Sequence, residues 1–499
     1  MVQKSVSPLW NSLALDRGAP ASLQDQIVGY FRAAVLEGRL EAGTRVPSSR
    51  ALAGDHGVAR ITAVQAYERL TAEGYLVSRP GSGLFVAEHL PEHPLRPTAR
   101  PRRAGAKPPP LGRNRELALP PRTLEHLPLA AGVPALDRFP WSDWARITAR
   151  LLRERPEALL GYCEPRGERA LRQAIAQYLA ANRGIACDPD QILVVAGSQQ
   201  GIDLTARALA EPGDRAWVEE PGYPAGRAAL RSAGFELVPV PVDDEGIDVG
   251  AGLRLAPHAR LALVAPSHQY PLGAVMSLRR RLALLDWAES ADAWILEDDY
   301  DGDYRYAGRP LAPLHMLDRG SRVLFLGTFS KVLAPGLRLG YLVVPPAAVE
   351  RFAALKAASD RHAPGLLQIA LARFIEEGRL AAHLRRMRTL YASRRAALLE
   401  ALAAEAGGFL AAGGSPEAGL HLVAHLSGRI DDVAASARAL EARVHAAPLS
   451  SYYSGTRRER GFVLGFAGTP EEQMGGAVRR LVAATRASLR PILNGRSRH

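Results

Sequence analysis

The sequence predicts an α/β protein with a small helical N-terminal domain and a much larger domain in which strands and helices alternate. Three observations support this prediction. Residues 21–88 carry three helical patterns and then a hairpin, residues 89–122 are dense in proline and arginine, and β-rich segments alternate with helical ones from about residue 190. Because 499 residues exceed what one ordinary domain holds, we predict domains at 21–88 and 123–490 and a linker at 89–122.

The N-terminal domain is predicted to begin with an amphipathic helix and a short second helix. Apolar side chains at helical spacing define the first helix, which closes near Gly38: Leu23, Ile27, Tyr30, Phe31 and Ala34. Pro47 leads into Ser48, a residue type that caps helices well, so the second helix starts there and ends at Gly57.

A third helix and a hairpin complete this domain. Val64, Tyr67 and Leu70 form an apolar stripe on the third helix, and polar side chains lie off that stripe at Arg60, Thr62 and Gln65. The β-rich segments 75–77 and 84–86 flank R-P-G-S-G, whose glycines permit a tight turn. This order of elements is that of a winged helix-turn-helix domain, in which the third helix enters the major groove of DNA.

Residues 21–88 resemble the GntR type of DNA-binding domain along almost their whole length. The resemblance rests on G-T-R-V-P-S-S-R-A-L-A at 43–53, G-V-A-R-I-T-A-V at 57–64, and A-E-G-Y-L-V at 72–77 with the glycine turn that follows. It implies contacts to phosphates and bases by these residues of the second and third helices: Arg50, Arg60, Thr62 and Gln65. It also implies that Gly81 and Gly83 let the hairpin approach the minor groove.

The chemistry of these side chains agrees with that implication, because arginine suits phosphate or guanine and glutamine can read adenine. The alternative for any single one of them is a solvated surface position. Members of the family often carry a basic residue where Gln65 stands and a second hydroxyl where Ile61 stands. The base preference of the family therefore does not transfer to this sequence.

The segment 89–122 contains many prolines and arginines and almost no apolar clusters, so it cannot bury a core. We predict an extended linker, partly in the polyproline II conformation. Its arginines either touch DNA phosphates nonspecifically or belong to a plain spacer.

Composition narrows the class of protein further. A formal net charge of +12 is compatible with a polyanionic partner such as DNA, although an Arg-rich soluble protein would show the same charge. The only cysteines, Cys163 and Cys187, have neither CxxC spacing nor histidine partners, so we expect no disulfide and no metal site. No signal peptide and no run of about 18 apolar residues occurs. We expect a soluble cytoplasmic protein without membrane contact.

In the large domain, apolar β-rich segments alternate with amphipathic helices. The β-rich segments are 192–197, 216–220, 261–266, 293–300, 323–331 and 339–345. This pattern predicts a mostly parallel or mixed sheet that is covered on both faces. Ligands of such sheets bind beyond the carboxyl ends of the strands. Several polar residues stand at these ends: Ser198, Gln199, Asp298, Tyr300, Thr328, Lys331 and Arg338.

These residue types meet the needs of pyridoxal 5′-phosphate (PLP). A lysine such as Lys331 can form a Schiff base with its aldehyde, and a carboxylate such as Asp298 can keep its pyridine nitrogen protonated. A helix N-terminus, a hydroxyl and an arginine can hold its phosphate, and the aromatic ring of Tyr223 can stack on it. Each residue alone also has an ordinary structural explanation.

The stretch 123–490 resembles a fold type I aminotransferase, and together with the N-terminal domain it resembles the MocR subfamily of GntR regulators. The motifs that carry the resemblance are G-Y-C-E-P-R-G-E-R-A-L-R-Q-A-I-A at 161–176, G-S-Q-Q at 197–200, E-P-G-Y at 220–223, P-S-H-Q-Y-P-L-G at 266–273, E-D-D-Y-D at 297–301, and G-T-F-S-K-V-L-A-P-G-L-R-L-G-Y at 327–341.

The resemblance implies PLP as cofactor and a role for each matching residue. Lys331 is implied as the Schiff-base lysine, Asp298 rather than Asp299 as the partner of the pyridine nitrogen, and Tyr300 as the partner of the ring hydroxyl. Tyr223 is implied to stack on the ring. The implied phosphate ligands are Ser198, Gln199, Thr328 and Arg338.

Two positions depart from the aminotransferase pattern. Tyr270 stands in Y-P-L-G where those enzymes have an asparagine that touches the ring hydroxyl, and either His268 or Gln269 could substitute. Val463 stands where they hold the substrate carboxylate with an arginine. Arg457, Arg458 and Arg460 are nearby in sequence. Without a carboxylate clamp, transamination loses the orientation that it needs.

We therefore predict a DNA-binding transcription regulator that senses PLP, or an amine or amino acid bound to it, and that works as a homodimer reading two half-sites. The alternative is an active aminotransferase with an accessory DNA-binding domain. A third possibility is nonspecific attachment to nucleic acid through the basic N-terminal region.

Overall fold

The computed structural model describes residues 10, 12–89, 127–154, 157, 159, 161–211, 213–306, 312–413, 418–428, 430–456 and 458–488. They form two compact units that divide between residues 110 and 111. The predicted linker at 89–122 lies outside the described residues except for His89, and so does Arg457. The boundaries predicted for the domains stay predictions.

The N-terminal unit contains the predicted elements in the predicted order. Its helices are α1 (Leu23–Leu36), α2 (Ser49–Asp55) and α3 (Arg60–Ala72), and its antiparallel strands are β1 (Leu76–Arg79) and β2 (Gly83–Val86). Ser48 caps α2 as predicted, since its side chain accepts a hydrogen bond from the backbone N–H of Ala51.

The core of this unit forms where α1 and α3 pack together around Phe31 and Tyr67, whose rings meet edge to face. Trp10 stacks on Phe31, so residues before position 21 also belong to this core. Val64 is only half-buried, and Ala63 and Ala66 take the buried places on α3. The prediction was therefore wrong by one position at Val64, because the neighbouring Ala63 is the buried residue. Alanine is small and was not counted as part of the apolar stripe.

The larger unit contains the remaining elements. Its helices are α4 (Trp141–Glu154), α5 (Arg169–Arg183), α6 (Ser198–Leu209), α7 (Pro224–Ser232), α8 (Val249–Leu255), α9 (Leu278–Ser290), α10 (Leu314–Leu317), α11 (Phe329–Val332), α12 (Val349–Ser359), α13 (Gly365–Glu376), α14 (Arg379–Glu405), α15 (Asp432–Glu441) and α16 (Glu471–Ala487). Its strands are β3 (Ile192–Val195), β4 (Arg215–Glu220), β5 (Glu236–Asp243), β6 (Gly246–Ile247), β7 (Leu261–Val264), β8 (Trp294–Asp299), β9 (Val323–Thr328), β10 (Gly340–Val343), β11 (Leu410–Ala412), β12 (His421–Leu426), β13 (Ala447–Pro448) and β14 (Gly461–Gly465).

Eight strands form the main sheet in the order β3-β10-β9-β8-β7-β4-β5-β6. Strands β5, β4, β7, β8 and β9 are parallel to one another, and β10 runs antiparallel to both of its neighbours, β3 and β9. The α/β class and the mixed sheet agree with the prediction. A smaller antiparallel sheet, β11-β12-β14-β13, follows near the C-terminus.

Helices cover both faces of the main sheet, and β3 shows this directly. Ile192 and Val194 belong to one apolar cluster, whereas Leu193 and Val195 belong to another on the opposite face. Strands buried on both faces need continuous apolar runs, which is the pattern that the sequence carries there. This packing fixes the carboxyl ends of β4, β7, β8 and β9 along one edge. No helix in the described part of the chain is both long and apolar enough to cross a bilayer.

Candidate cofactor site and DNA-binding surface

A cavity opens at the carboxyl ends of the parallel strands. Five of the residues predicted to bind PLP line it: Ser198, Tyr223, Asp298, Tyr300 and Lys331. They come from four separate segments: the start of α6, the residue before α7, the carboxyl end of β8 with the residue that follows it, and α11. The fold therefore brings together residues that are up to 133 positions apart, from Ser198 to Lys331.

Lys331 lies half-buried in α11, directly after β9. Its Nζ donates a hydrogen bond to the backbone carbonyl of Gly132, at 2.6 Å. Gly132 has a φ of +73°, and a Cβ at this position would lie 2.9 Å from Nζ. The loop at Gly132 thus requires glycine both for its backbone conformation and for the approach of the lysine.

Asp298 is the penultimate residue of β8 and is 9% exposed. Its Oδ1 is buried and has no hydrogen-bond partner among the described residues. Burial, together with the charges of Asp299 and Asp301, raises the pKa of Asp298 to about 7. Asp299 faces a different partner, because its Oδ1 accepts a 2.6 Å hydrogen bond from the guanidinium of Arg183. Of the two adjacent carboxylates, Asp298 is the one at the cavity.

Two tyrosines flank the same space. The hydroxyl of Tyr300 lies 3.0 Å from Nδ1 of His268. Tyr223 precedes α7, and its ring meets that of Tyr270 edge to face at a centroid distance of 6.1 Å. Burial raises the pKa of Tyr223 to about 12, so its hydroxyl stays protonated at neutral pH.

The three other predicted residues, Gln199, Thr328 and Arg338, do not line the cavity. Arg338 is exposed and donates a hydrogen bond to the carbonyl of Ala196, two residues before the start of α6. Its Nη1 would lie 3.3 Å from a Cβ on Gly197. Thr328 pairs in register with Gly340, which packs against Gly197. The predicted phosphate ligands are thus gathered around the N-terminus of α6.

Pattern analysis gave no role in the site to three residues that line the cavity: Gly132, Glu219 and Arg227. Tyr270, which stands in place of the aminotransferase asparagine, also lines it. Glu219 is 6% exposed, and desolvation raises its pKa to about 8. Arg227 stands one helical turn after Tyr223, so its spacing in α7 could have indicated that it faces the same way. It donates hydrogen bonds to the carbonyls of Glu219 and Tyr452, at 2.9 and 2.7 Å.

The exposed surface of the N-terminal unit carries the predicted DNA-binding residues. Arg50, Arg60 and Gln65 are exposed and Thr62 is half-buried. Neither Arg50 nor Arg60 pairs with a carboxylate among the described residues, whereas Arg69 pairs with Asp25 and Glu73. Gly81 and Gly83 are exposed at the hairpin turn, with φ of +73° and +106°.

Comparison with known proteins decides the family. Residues 23–86 match the family described as "Bacterial regulatory proteins, gntR family", and residues 125–481 match "Aminotransferase class I and II". The chain is 40% identical over 475 residues to the "Probable rhizopine catabolism regulatory protein MocR" of Rhizobium meliloti, with 95% of each chain covered. The chain belongs to the MocR subfamily of GntR regulators.

Two further similarities agree with this membership in the MocR subfamily. The "HTH-type pyridoxine biosynthesis transcriptional regulator PdxR" of Corynebacterium glutamicum is 34% identical, covering 93% of this chain and 96% of its own. A crystal structure of Pyrococcus horikoshii kynurenine aminotransferase, in complex with PMP, has a TM-score of 0.68 and 29% identity, covering 73% of this chain and 91% of its own. This MocR-type chain is therefore a DNA-binding transcription regulator with an aminotransferase-like domain of fold type I.

The departures of this MocR-type chain from aminotransferases have structural counterparts. Gln269 does not line the cavity and donates instead to Glu219 and to the carbonyl of Pro221, whereas His268 reaches the site through Tyr300. Val463 lies fully buried in β14. Arg458 and Arg460 donate to the carbonyls of Gly455 and Ile430, away from the cavity lining.

Proposed function

We propose that this regulator binds PLP at Lys331 and senses PLP itself, or an amine or amino acid that joins it, in the cytoplasm. The observation that carries the proposal is that Nζ of Lys331 and the unpartnered Oδ1 of Asp298 belong to residues of one cavity. A buried carboxylate oxygen without a donor is unfavourable. A protonated pyridine nitrogen supplies the donor that this oxygen lacks.

The other residues fit the remaining parts of the cofactor. The hydroxyl of Tyr300 can meet the ring hydroxyl, and the ring of Tyr223 offers a face for stacking. Ser198 opens α6, whose N-terminal N–H groups attract a phosphate, and Arg338 adds a positive charge beside Gly197. Gln199 and Thr328 are proposed to support the same phosphate from adjacent positions. PMP, which the kynurenine aminotransferase structure contains, is the amine form of PLP.

When bound, PLP supplies an aldehyde that joins amines reversibly and a ring that withdraws electrons. Lys331 would provide the resident amine, for which a free amine could substitute. Asp298 would hold the proton on the ring nitrogen. If an amine displaced Lys331 from the cofactor, the freed side chain would be available for the contact with Gly132, so the cavity would have two distinguishable states.

Arg227 is proposed to hold the carboxylate of an amino acid effector. Its side chain is 8% exposed and lines the cavity. Its Nη2 pairs with Glu220 at 3.2 Å, and its Nε has no hydrogen-bond partner among the described residues. Arg458 and Arg460 do not line the cavity, so they are poor candidates for this role.

In the N-terminal unit, we propose that α3 enters the major groove of operator DNA. Exposed guanidiniums without carboxylate partners, at Arg50 and Arg60, are available to phosphates and bases, with Thr62 and Gln65 on the same helix as Arg60. Gly81 and Gly83 leave the hairpin turn free of bulk beside the duplex. A homodimer would present two such helices to paired half-sites.

The absorption spectrum of the purified protein tests the cofactor proposal. We expect a near-ultraviolet to visible band from lysine-bound PLP that borohydride abolishes and that is absent in Lys331→Ala. Lys356→Ala is the matched control, because Lys356 is the other lysine among the described residues and pairs with Asp360 on α12. A wild-type protein that stays colourless after incubation with PLP would refute the proposal.

Titration of the same band with a panel of amines, followed by operator binding at fixed salt, tests the sensing proposal. The effector is the compound that changes both the spectrum and the affinity for DNA. An aminotransferase with an accessory DNA-binding domain would instead turn over amino acids with 2-oxoglutarate rapidly, with or without residues 1–122. The apolar Val463 in β14 disfavours that alternative.

A further inference from the structure

Three buried side chains meet beside the cavity: His268, Asp301 and His421. They are 2%, 2% and 1% exposed. His268 follows β7, Asp301 follows β8, and His421 begins β12 of the small C-terminal sheet. Each offers one atom able to bind a metal ion, and the three atoms lie within 4.8 Å of one another.

The hydrogen bonds of the two histidines determine which nitrogen of each ring carries the proton. Nδ1 of His268 lies 3.0 Å from Oδ2 of Asp301, and Nε2 of His421 lies 3.0 Å from the carbonyl oxygen of Pro271. A carboxylate and a carbonyl can only accept, so these two nitrogens donate. The lone pairs are therefore on Nε2 of His268 and Nδ1 of His421.

No group in the described part of the chain donates a hydrogen bond to these lone pairs. Nε2 of His268, Nδ1 of His421 and Oδ1 of Asp301 are all buried without a hydrogen-bond partner among the described residues. Imidazoles that donate one N–H to a carboxylate or carbonyl and point the other nitrogen at a shared centre are typical of metal sites. Two imidazoles and one carboxylate form a ligand set that first-row divalent ions accept.

The local charge also suits a cation. The segment 297–303 contains five carboxylates, at Glu297, Asp298, Asp299, Asp301 and Asp303. Three arginines line the space beside His268 and Asp301, namely Arg183, Arg281 and Arg305. Two of them are matched, since Arg183 pairs with Asp299 at 2.6 Å and Arg281 lies 4.0 Å from Glu297. Asp301 pairs with no arginine or lysine among the described residues, only with His268.

We propose that His268, Asp301 and His421 form a binding site for a divalent first-row transition metal ion such as Zn²⁺. The ion would connect the small C-terminal sheet, through β12, to the loops at the carboxyl ends of β7 and β8. It would also fix the His268 ring that contacts Tyr300, at the edge of the cavity. The proposal does not depend on PLP, and its test works with or without that cofactor.

Metal content and affinity test the proposal on the full-length protein. The protein is treated with hydroxylamine to remove aldehyde cofactors, stripped with EDTA, and titrated with Zn²⁺, with bound metal counted by mass spectrometry. Co²⁺ substitution adds visible d–d bands that report nitrogen and oxygen ligands. We expect one ion per chain, and a loss of affinity of about a hundredfold or more in His421→Gln, because loss of a supporting contact alone costs about 10–100-fold.

His383→Gln is the matched control. His383 is as buried as the cluster, also bonds a carbonyl through Nε2, and also leaves Nδ1 without a partner, but it lies outside the cluster. It should bind Zn²⁺ like the wild type. Gly419→Ala tests the geometry without removing a ligand, since a Cβ there would lie 2.0 Å from Cε1 of His268, and this variant should also lose affinity.

Two results would overturn the proposal. One is a wild-type protein that holds no stoichiometric Zn²⁺ or Co²⁺ at excess metal, and the other is a folded His421→Gln that binds as tightly as the wild type. Circular dichroism shows whether each variant is folded. If His421→Gln does not fold, the stoichiometry and the Co²⁺ spectrum of the wild type decide alone.

Discussion

The amine of Lys331 and the carbonyl oxygen of Gly132 lie 2.6 Å apart, across 199 positions of sequence. This hydrogen bond holds the lysine against a glycine that has no room for a side chain, since a Cβ on Gly132 would lie 2.9 Å from Nζ. The position of the proposed cofactor-binding amine thus depends on a loop that precedes the main sheet.

Substitution of this glycine should therefore impair cofactor binding. In Gly132→Ala, the methyl group displaces Nζ, and the φ of +73° is unfavourable for alanine by about 1–2 kcal/mol. We expect a smaller fraction of protein with the lysine-bound PLP band at a given PLP concentration. Gly161→Ala is the control, because a Cβ at Gly161 meets no atom within 4 Å. Equal occupancy in both variants would contradict the prediction.

Asp298 and Asp299 should differ sharply although they are neighbours. Asparagine has no negative charge to keep a pyridine nitrogen protonated. Asp298→Asn should therefore bind PLP about tenfold or more weakly, a change that corresponds to a shift of about one unit in the pKa of that nitrogen. Asp299→Asn instead leaves the buried guanidinium of Arg183 with a weaker partner, so it should lower the melting temperature. PLP titration and thermal unfolding separate the two effects. A larger loss of PLP affinity in Asp299→Asn would reverse our assignment.

The pH dependence of stability should contain a contribution from Glu219. Its pKa is raised from 4.5 to about 8 in the folded chain, mainly by desolvation. Between these values the unfolded chain releases the proton and the folded chain keeps it, so stability falls as pH rises, by up to about 1.4 kcal/mol per unit. Glu219→Gln should flatten the slope of the free energy of unfolding across this range. Exposed Glu289→Gln should leave the slope unchanged, and an unchanged slope in Glu219→Gln would argue against a buried neutral carboxyl.

Arg60 should contribute to DNA binding through charge. Arg60→Ala should weaken binding to the operator and reduce the slope of log affinity against log salt by about one. Arg39→Ala is the control, because Arg39 pairs with Glu37 at 2.7 Å, just after α1. Fluorescence anisotropy at several salt concentrations measures both quantities. If Arg39→Ala changes the slope as much as Arg60→Ala does, α3 is not the element that approaches the phosphates.

Ile61 should influence which bases are preferred. Its side chain is 60% exposed at the start of α3, beside Arg60 and Thr62, where an apolar group can contact a thymine methyl. Ile61→Ser should therefore reduce discrimination between thymine and cytosine at one position in each half-site. Selection from a randomised duplex pool reads this out. An identical base preference in both proteins would place Ile61 away from the bases.

The sequence predicted the main sheet well where its strands are buried on both faces, since burial on both faces requires an uninterrupted apolar run. Strand β5 was missed because Pro239 and Pro241 interrupt the pattern of a strand that is largely exposed. Lys331 and Asp298 could be proposed as site residues from the sequence because they stand in linear motifs at strand ends, and both line the cavity. Gly132, Glu219 and Arg227 could not be proposed in this way, because their relation to the cavity exists only after distant segments have packed.

The hydrogen bond between Lys331 and Gly132 also bears on synthesis of the chain. The residues that line the cavity are spread between Ala131 and Lys331. The chain must therefore be synthesised beyond Lys331 before the cavity can form. The apolar core of the N-terminal unit is built from residues between Trp10 and Val86, so it can form much earlier. During synthesis, the helices and hairpin of the N-terminal unit can therefore form before the residues that line the cavity have come together.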